Sequence, residues 1–255
     1  MKLSPCIEWI FAREHEGMGD RLRAAVDEGF PMGEFHLWRD KDMDGVADAL
    51  AETGATLTGV CVDPRRSMVD PEQHDELLSA IAETIEATRR LGAPPLIIAS
   101  GFTRPGISQD EHVAAAVAVL KRAAAMAEEA GVILILEPLN DRIELPGMFL
   151  TSTSLGLDII EAVASPNLKL LYDVYHSTVM DEDIAEVLRG RMHLVHHVQV
   201  ADVPGRHEPG TGTIDWRHVM ATLHGYGYEG PIGLEYLPTL PPKESLAKTK
   251  AALGA

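Results

Sequence analysis

The sequence predicts a single α/β domain, a (β/α)8 barrel of the TIM type spanning residues 1–255. Eight short strand-like runs alternate with helix-like segments from end to end, the pattern of a parallel sheet covered by helices. The length of 255 residues is that of one such barrel. No linker, low-complexity run or shift in composition divides the chain.

In order, the strand candidates are Leu3–Ile10, Glu34–Trp38, Thr56–Val62, Pro95–Ser100, Val132–Glu137, Leu168–Asp173, His193–Ala201 and Pro231–Glu235. They are apolar and β-branched, as strands buried on both faces tend to be. The stretches between them carry helical spacing. In His112–Ala130, Val113, Val117, Leu120 and Ala124 recur at three and four residues. In Leu77–Leu91, the apolar side is marked by Leu78, Ile81, Ile85 and Leu91. Gly29, Gly54, Gly92 and Gly131 fall just past helical runs, where a left-handed cap is wanted. Asp215 is placed to cap the helix after strand seven. A doubly wound open sheet is the structural alternative. It calls for GxGxxG after the first strand, and FAREHEGMGD lacks it.

Thirty-nine acidic against 22 basic residues give a net charge of −17. Such a surface repels phosphate backbones and anionic bilayers, so neither nucleic acid nor membrane is expected as a partner. No apolar run reaches the roughly 18 residues that span a bilayer. The opening MKLSPCIEWIF is broken by Glu8 and reads as a strand, not a signal peptide. Cys6 and Cys61, far apart and outside any CxxC pattern, read as buried thiols of a reducing compartment, so a cytoplasmic location is expected. A homo-oligomer is left open.

The active site of such a barrel lies at the C-terminal ends of its strands. The last four strands all finish with an oxygen-bearing side chain: Glu137, Asp173, Gln199 and Glu235. Three carboxylates converging on one mouth would repel each other unless a cation neutralised them. Three acids and an amide suit one hard divalent cation, Mg²⁺ or Mn²⁺ foremost, with Co²⁺ also compatible. Zinc chemistry of the Cys₄ or His₃ kind is not indicated.

Side chains alternate along a strand, so His197 shares a face with Gln199 and sits one layer beneath it. A supporting hydrogen bond to the site is its expected role, with a satisfied interior histidine as the alternative. His176, three residues past Asp173, is placed to face a substrate or is a plain loop histidine. In the loop PGRHEPGTG after strand seven, glycines permit close backbone approach. Arg206 there could hold a substrate carboxylate, serve a phosphate or be a solvated surface residue.

LEPLN, ELPGMFLT, YDVYH, HVQVAD, RHEPGTGTIDW and GLEY together resemble the hydroxypyruvate isomerase family, within the xylose-isomerase-like barrel superfamily. The likeness is dense from Val132 to Pro238 and thinner earlier, where LSPCIEWIF and GEFHLW resemble the first two strands. It implies a divalent-metal barrel that interconverts a 2-ketone and an aldehyde on a small hydroxylated chain. By that likeness Glu137 and Glu235 double as ligands and acid/base pair, and Asp173 and Gln199 complete the metal sphere. His176 and Arg206 match the family's substrate-contacting His and Arg, and Glu208 lies in the same motif. Three departures concern the first half. Cys6 stands where close members carry an amide, and Cys61-Val62-Asp63-Pro64 replaces an HNLP-like stretch. Arg65 and Arg66 then occupy a loop expected to hold glycine and tryptophan.

The expected function is therefore isomerisation of a small hydroxy-keto acid, hydroxypyruvate or a 2-keto-tetronate, through an enediolate. A ketose 3-epimerase and a dehydratase of a polyol ketone or sugar acid would use the same metal and glutamates. An abasic-site endonuclease needs a His-rich multi-zinc cluster and a basic face, and the chain has neither. A non-catalytic sugar-acid binder is the alternative outside enzymology. No nucleophile elbow or Walker loop is present.

Overall fold

All eight predicted runs form parallel strands in the computed structural model, which describes residues 1–255. They are β1 (Lys2–Pro5), β2 (Met32–Phe35), β3 (Thr56–Cys61), β4 (Leu96–Ile98), β5 (Leu134–Leu136), β6 (Leu168–Asp173), β7 (Val195–Val200) and β8 (Pro231–Leu234). Pairing follows chain order from β2 to β8, and β8 pairs back onto β1. Between β1 and β2 the ring is completed by a Cys6–Glu34 bridge and an Ile7 N–H bond to Glu34 O at 2.9 Å.

The helices are α1 (Met18–Asp27), α2 (Met43–Thr53), α3 (His74–Thr88), α4 (Gln109–Ala130), α5 (Thr153–Val163), α6 (Val174–Val179), α7 (Ile184–Val187), α8 (Trp216–Gly225) and α9 (Pro242–Leu253). Their ends follow the local chemistry. Ser108 and Glu111 form a reciprocal capping box on α4, and Asp215 caps α8 by accepting from His218 N–H at 3.1 Å. Gly54 and Gly131 close α2 and α4 with φ of 69° and 70°. No helix is long and apolar enough to cross a membrane.

Strand one is shorter than predicted. It stops at Pro5, and Trp9 and Ile10 N–H both return to the Cys6 carbonyl, at 3.2 and 3.1 Å. Ile7, Ile10 and Phe11 stay buried, but three and four residues apart, which is helical spacing inside an apolar run. The run predicted as Glu34–Trp38 begins earlier, at Met32, and ends at Phe35.

Register sets the mouth. Leu171 lies level with His197, Asp173 with Gln199, and Gln199 with Gly233. Two-residue alternation then places Glu137 above Ile135, Asp173 above Leu171 and Gln199 above His197 on one interior face. Cys61, Ile97, Ile135 and Leu171 form a small buried apolar cluster below them. Beneath Glu137 and Asp173 the wall is therefore apolar, which keeps charges at that side of the mouth poorly screened.

Candidate active site

Asp173, Gln199 and Glu235 are buried at the strand ends, and Glu137 is half-buried beside them. Asp173 ends β6 and caps α6, one oxygen accepting from the Tyr175 and His176 N–H groups at 2.8 and 3.4 Å. Its other oxygen, Oδ2, faces the Arg206 guanidinium at 3.1 Å. The same Arg206 nitrogen reaches Glu235 Oε2 at 2.5 Å, and its neighbour reaches Glu144 at 3.0 Å. Arg206 has a left-handed φ of 56° after Gly205, and its side chain is buried in the site. The guanidinium lies over Trp9 and Tyr175, at 5.3 and 5.1 Å from their ring centres. A cation thus already bridges two of the predicted ligands.

Charge is not fully balanced. Burial, then the neighbouring Glu235 and Asp173, push the Glu137 carboxyl well above its ordinary range. Burial pushes Asp173 up to about 7 against the opposing pull of Arg206. For Glu235 burial acts upward too, but Arg206 and the His36 ring, 2.7 Å from Oε1, outweigh it and hold the carboxyl at about 2.

Asp173 therefore binds its proton more tightly folded, about 7, than unfolded, about 3.9. Its contribution to the stability of cation-free protein is complete below the unfolded value and is lost as pH rises through 7. Asp173→Asn lacks that titration. In chelator, the melting temperature of wild type minus that of Asp173→Asn should fall from about pH 5 to about pH 8. A difference that stays flat would remove the buried charge as the cause.

His176 stands 3.5 Å from Asp173 Oδ2 and 3.9 Å from both Glu137 and Glu144. Together with Glu137 and Asp173 it forms a cluster of metal-ligand type. Its other face decides its role. The backbone N–H of Asn140 points at Nδ1 from 3.1 Å, so Nδ1 carries the lone pair and the ring proton sits on Nε2. Burial, then Arg206, hold its pKa down to about 3, so the ring is neutral. In this tautomer the Nε2–H of His176 faces the cavity.

Beneath Gln199 lies Glu34, a buried residue of GEFHLW that the sequence does not single out as part of the site. Its carboxylate accepts from Gln199 Nε2 at 2.8 Å, His197 Nε2 at 2.6 Å and Thr58 Oγ1 at 3.1 Å. The bond from Gln199 fixes the amide so that Oε1 turns away from Glu34. Oε1 is buried and has no hydrogen-bond partner. A buried acceptor left open in this way is costly unless something positive meets it. Three carboxylates and an orphaned amide oxygen fit a hard divalent cation, and Glu137, Asp173, Gln199 and Glu235 are the residues that would hold it.

Glu208 does not join them. It is buried away from the cavity, where it accepts from Thr239 N, Thr239 Oγ1 and Leu240 N at 2.8, 3.0 and 3.1 Å. It ties the loop after β7 to the loop after β8, which braces Arg206 rather than touching a ligand. Asp202 braces the same loop through Val203, Gly210, Ile214 and the Trp216 indole. The mouth opens into a cavity of about 640 Å³ that contains Glu137, His176, Gln199, Arg206 and Glu235 in its lining. Glu144, from ELPGMFLT, and His36, from GEFHLW, also line it, although neither motif assigned them a role.

A family model for xylose isomerase-like TIM barrels matches residues 22–253. Hydroxypyruvate isomerase of Escherichia coli (strain K12) is 33% identical over 225 residues, 86% of this chain and 87% of that protein. A 2-oxo-tetronate isomerase of Cupriavidus necator is 29% identical over 246 residues, covering 92% of this chain and 93% of its own. A solved structure described as AP endonuclease, family 2, from Brucella melitensis superposes with a TM-score of 0.89 at 25% identity, covering 96% of each chain. The chain belongs to the xylose isomerase-like TIM barrel family, on its hydroxypyruvate isomerase side, and is an isomerase.

Proposed function

We propose that the chain is a divalent-metal-dependent isomerase of a small hydroxy-keto acid, hydroxypyruvate or a 2-keto-tetronate, working through an enediolate. The observation that carries this is the unpartnered Gln199 oxygen, held by Glu34 beside three carboxylates that Arg206 only partly neutralises. The oxygen-only set favours Mg²⁺ or Mn²⁺, with Co²⁺ compatible. When bound, such an ion would polarise the carbonyl and stabilise negative charge on the ketol oxygens.

The proton movements belong to the side chains. One glutamate of the pair Glu137 and Glu235 takes the C–H proton from the hydroxyl-bearing carbon. The hydroxyl proton passes to the carbonyl oxygen, and the other glutamate delivers a proton to the former carbonyl carbon. Ketone and aldehyde are exchanged with no net gain or loss of atoms. His176 Nε2–H is positioned to donate to a ketol oxygen, and Arg206 Nε–H, buried without a partner, is the donor left for an adjacent carboxylate. The endonuclease description of one structural neighbour does not suit a chain of net charge −17 with an acidic mouth.

The test is an NMR product screen with hydroxypyruvate, 2-keto-tetronates and simple ketoses, in chelator and with each ion restored. Isomerised acids are expected. Epimerised ketoses or loss of water would replace this reading with a 3-epimerase or a dehydratase. Turnover should vanish on chelation and return with Mn²⁺, Mg²⁺ or Co²⁺. Gln199→Leu should weaken Mn²⁺ binding, read by electron paramagnetic resonance, about 10-fold or more. Unchanged Mn²⁺ affinity in that variant would remove Gln199 from the site.

A further inference from the structure

The cavity is larger than the reaction requires. Its volume of about 640 Å³ lies within the ~300–1,000 Å³ of pockets that take drug-sized ligands, and a three-carbon acid would leave most of it to water. Its two sides also differ in charge. The acids stand at the ends of β5, β6 and β8, whereas the wall from the loops after β3 and β4 brings in Arg65, Arg66 and Arg104.

Four arginines line the cavity, and three have carboxylate partners. Arg206 holds Asp173, Glu235 and Glu144; Arg66 meets Glu76 at 2.5 Å; Arg104 meets Asp70 at 3.4 Å. Arg65 has none within 4.0 Å, in a chain with 39 acidic residues. Its charge is nevertheless turned inward. It lowers the Glu137 carboxyl and acts against the burial that pushes the Cys61 thiol up to about 12.

Two more features make the spot a built one. The Ser67 hydroxyl, on the same lining, is buried and has no hydrogen-bond partner. The segment is also anchored at its root, because the Asp63 carboxylate accepts from Trp38 and Arg39 N–H at 3.1 and 3.0 Å. Arg65 is thus presented from a fixed backbone, which lowers the ordering cost of binding.

We propose that Arg65 and Ser67 form an anion subsite on the β3 side of the mouth, which receives a carboxylate or phosphate at the end of a polyhydroxylated chain longer than three carbons. The proposal rests on the isomerase reading above, which puts the ketol end of that chain at Glu137 and Glu235. A guanidinium fork matches either oxyanion through paired hydrogen bonds, and the Ser67 hydroxyl adds one donor. The substrate range then extends beyond the three-carbon acid to longer sugar acids or sugar phosphates, held at both ends.

Calorimetry of the Mn²⁺-equilibrated protein with three unreactive five-carbon probes tests this: xylonate, xylitol 5-phosphate and xylitol. At least one anion should bind the wild type about 10-fold or more tightly than xylitol, and which one does so identifies the oxyanion. Arg65→Met should lose that preference, Arg65→Lys should keep part of it, and Ser67→Ala should weaken the anion alone. Arg65 is exposed, so melting temperatures of its variants should stay at the wild-type value. Equal binding of anion and xylitol by the wild type, or an undiminished preference in Arg65→Met, would overturn the subsite. Mn²⁺ binding and the NMR product screen on the same protein report separately on the isomerase reading. A protein that isomerises keto acids yet ignores Arg65→Met keeps the reaction and loses the subsite.

Discussion

Replacing either Glu137 or Glu235 with Gln is expected to lower kcat about 10²–10⁴-fold or more, with little change in fold. Gln keeps the size of the side chain and an oxygen for a cation, but it cannot accept and return a proton. The two glutamates rise from β5 and β8, on different walls of the mouth, so each can address a different carbon of a ketol lying between them. Their surroundings differ as well. Glu235 is gripped by His36 at 2.7 Å and Arg206 at 2.5 Å, whereas His176 Nε2 stands 3.9 Å from Glu137. A single proton carrier would leave one of the two variants active, and a pair makes both fail. Single-turnover and steady-state kinetics with Mn²⁺ content measured in parallel decide between them. The fall should appear in kcat more than in KM, because binding oxygens are retained. Both variants keeping more than about a tenth of wild-type turnover, with Mn²⁺ bound, would end the acid/base assignment.

The parts of this site that are legible in the sequence are those set by strand periodicity. A buried parallel strand reads as an apolar run, so an acid or amide at its end is conspicuous, and register then carries Asp173, Gln199 and Gly233 to one level. His197 beneath Gln199 follows from the same alternation. What is not legible depends on closure of the ring. Glu34 lies inside GEFHLW and looks like a solvated acid until β2 meets β1 and faces β7 across the barrel. Two signals were available: Glu34 and His36 share a strand face, and Gly233 interrupts an apolar strand, which marks a close approach. Glu208 misleads for the opposite reason. It sits in a mouth-loop motif, but its carboxylate satisfies the backbone of the neighbouring loop. The sequence overextends strand one because hydrophobicity persists through Ile10 while its period changes after Pro5.

Glu34 and Gly233 are expected to behave as one unit whose disruption is strongly destabilising. Glu34 is buried, with its carboxylate accepting from His197, Gln199 and Thr58. Glu34→Ala strands those donors in the interior, and each buried donor left without a partner costs roughly 1–3 kcal/mol. The carboxylate fits there because residue 233 has no side chain. A Cβ on Gly233 would lie 2.5 and 2.6 Å from the two Glu34 oxygens, well inside contact distance. Because three partners hold those oxygens in place, they cannot move aside without breaking the same bonds. Gly233→Ala alone should therefore also be strongly destabilising, by up to a few kcal/mol. In the double variant Glu34→Ala/Gly233→Ala the clash is gone, so the total loss should fall short of the sum of the single losses by about 1 kcal/mol or more. Mn²⁺ affinity should drop in every variant lacking the Glu34 carboxylate, because the Gln199 amide is then free to turn its oxygen away from the mouth. Urea unfolding of the four proteins in chelator measures the coupling, and Mn²⁺ titration measures the second effect. Strict additivity of the two losses would show that the glycine is not there for Glu34, whatever the Mn²⁺ titration gives.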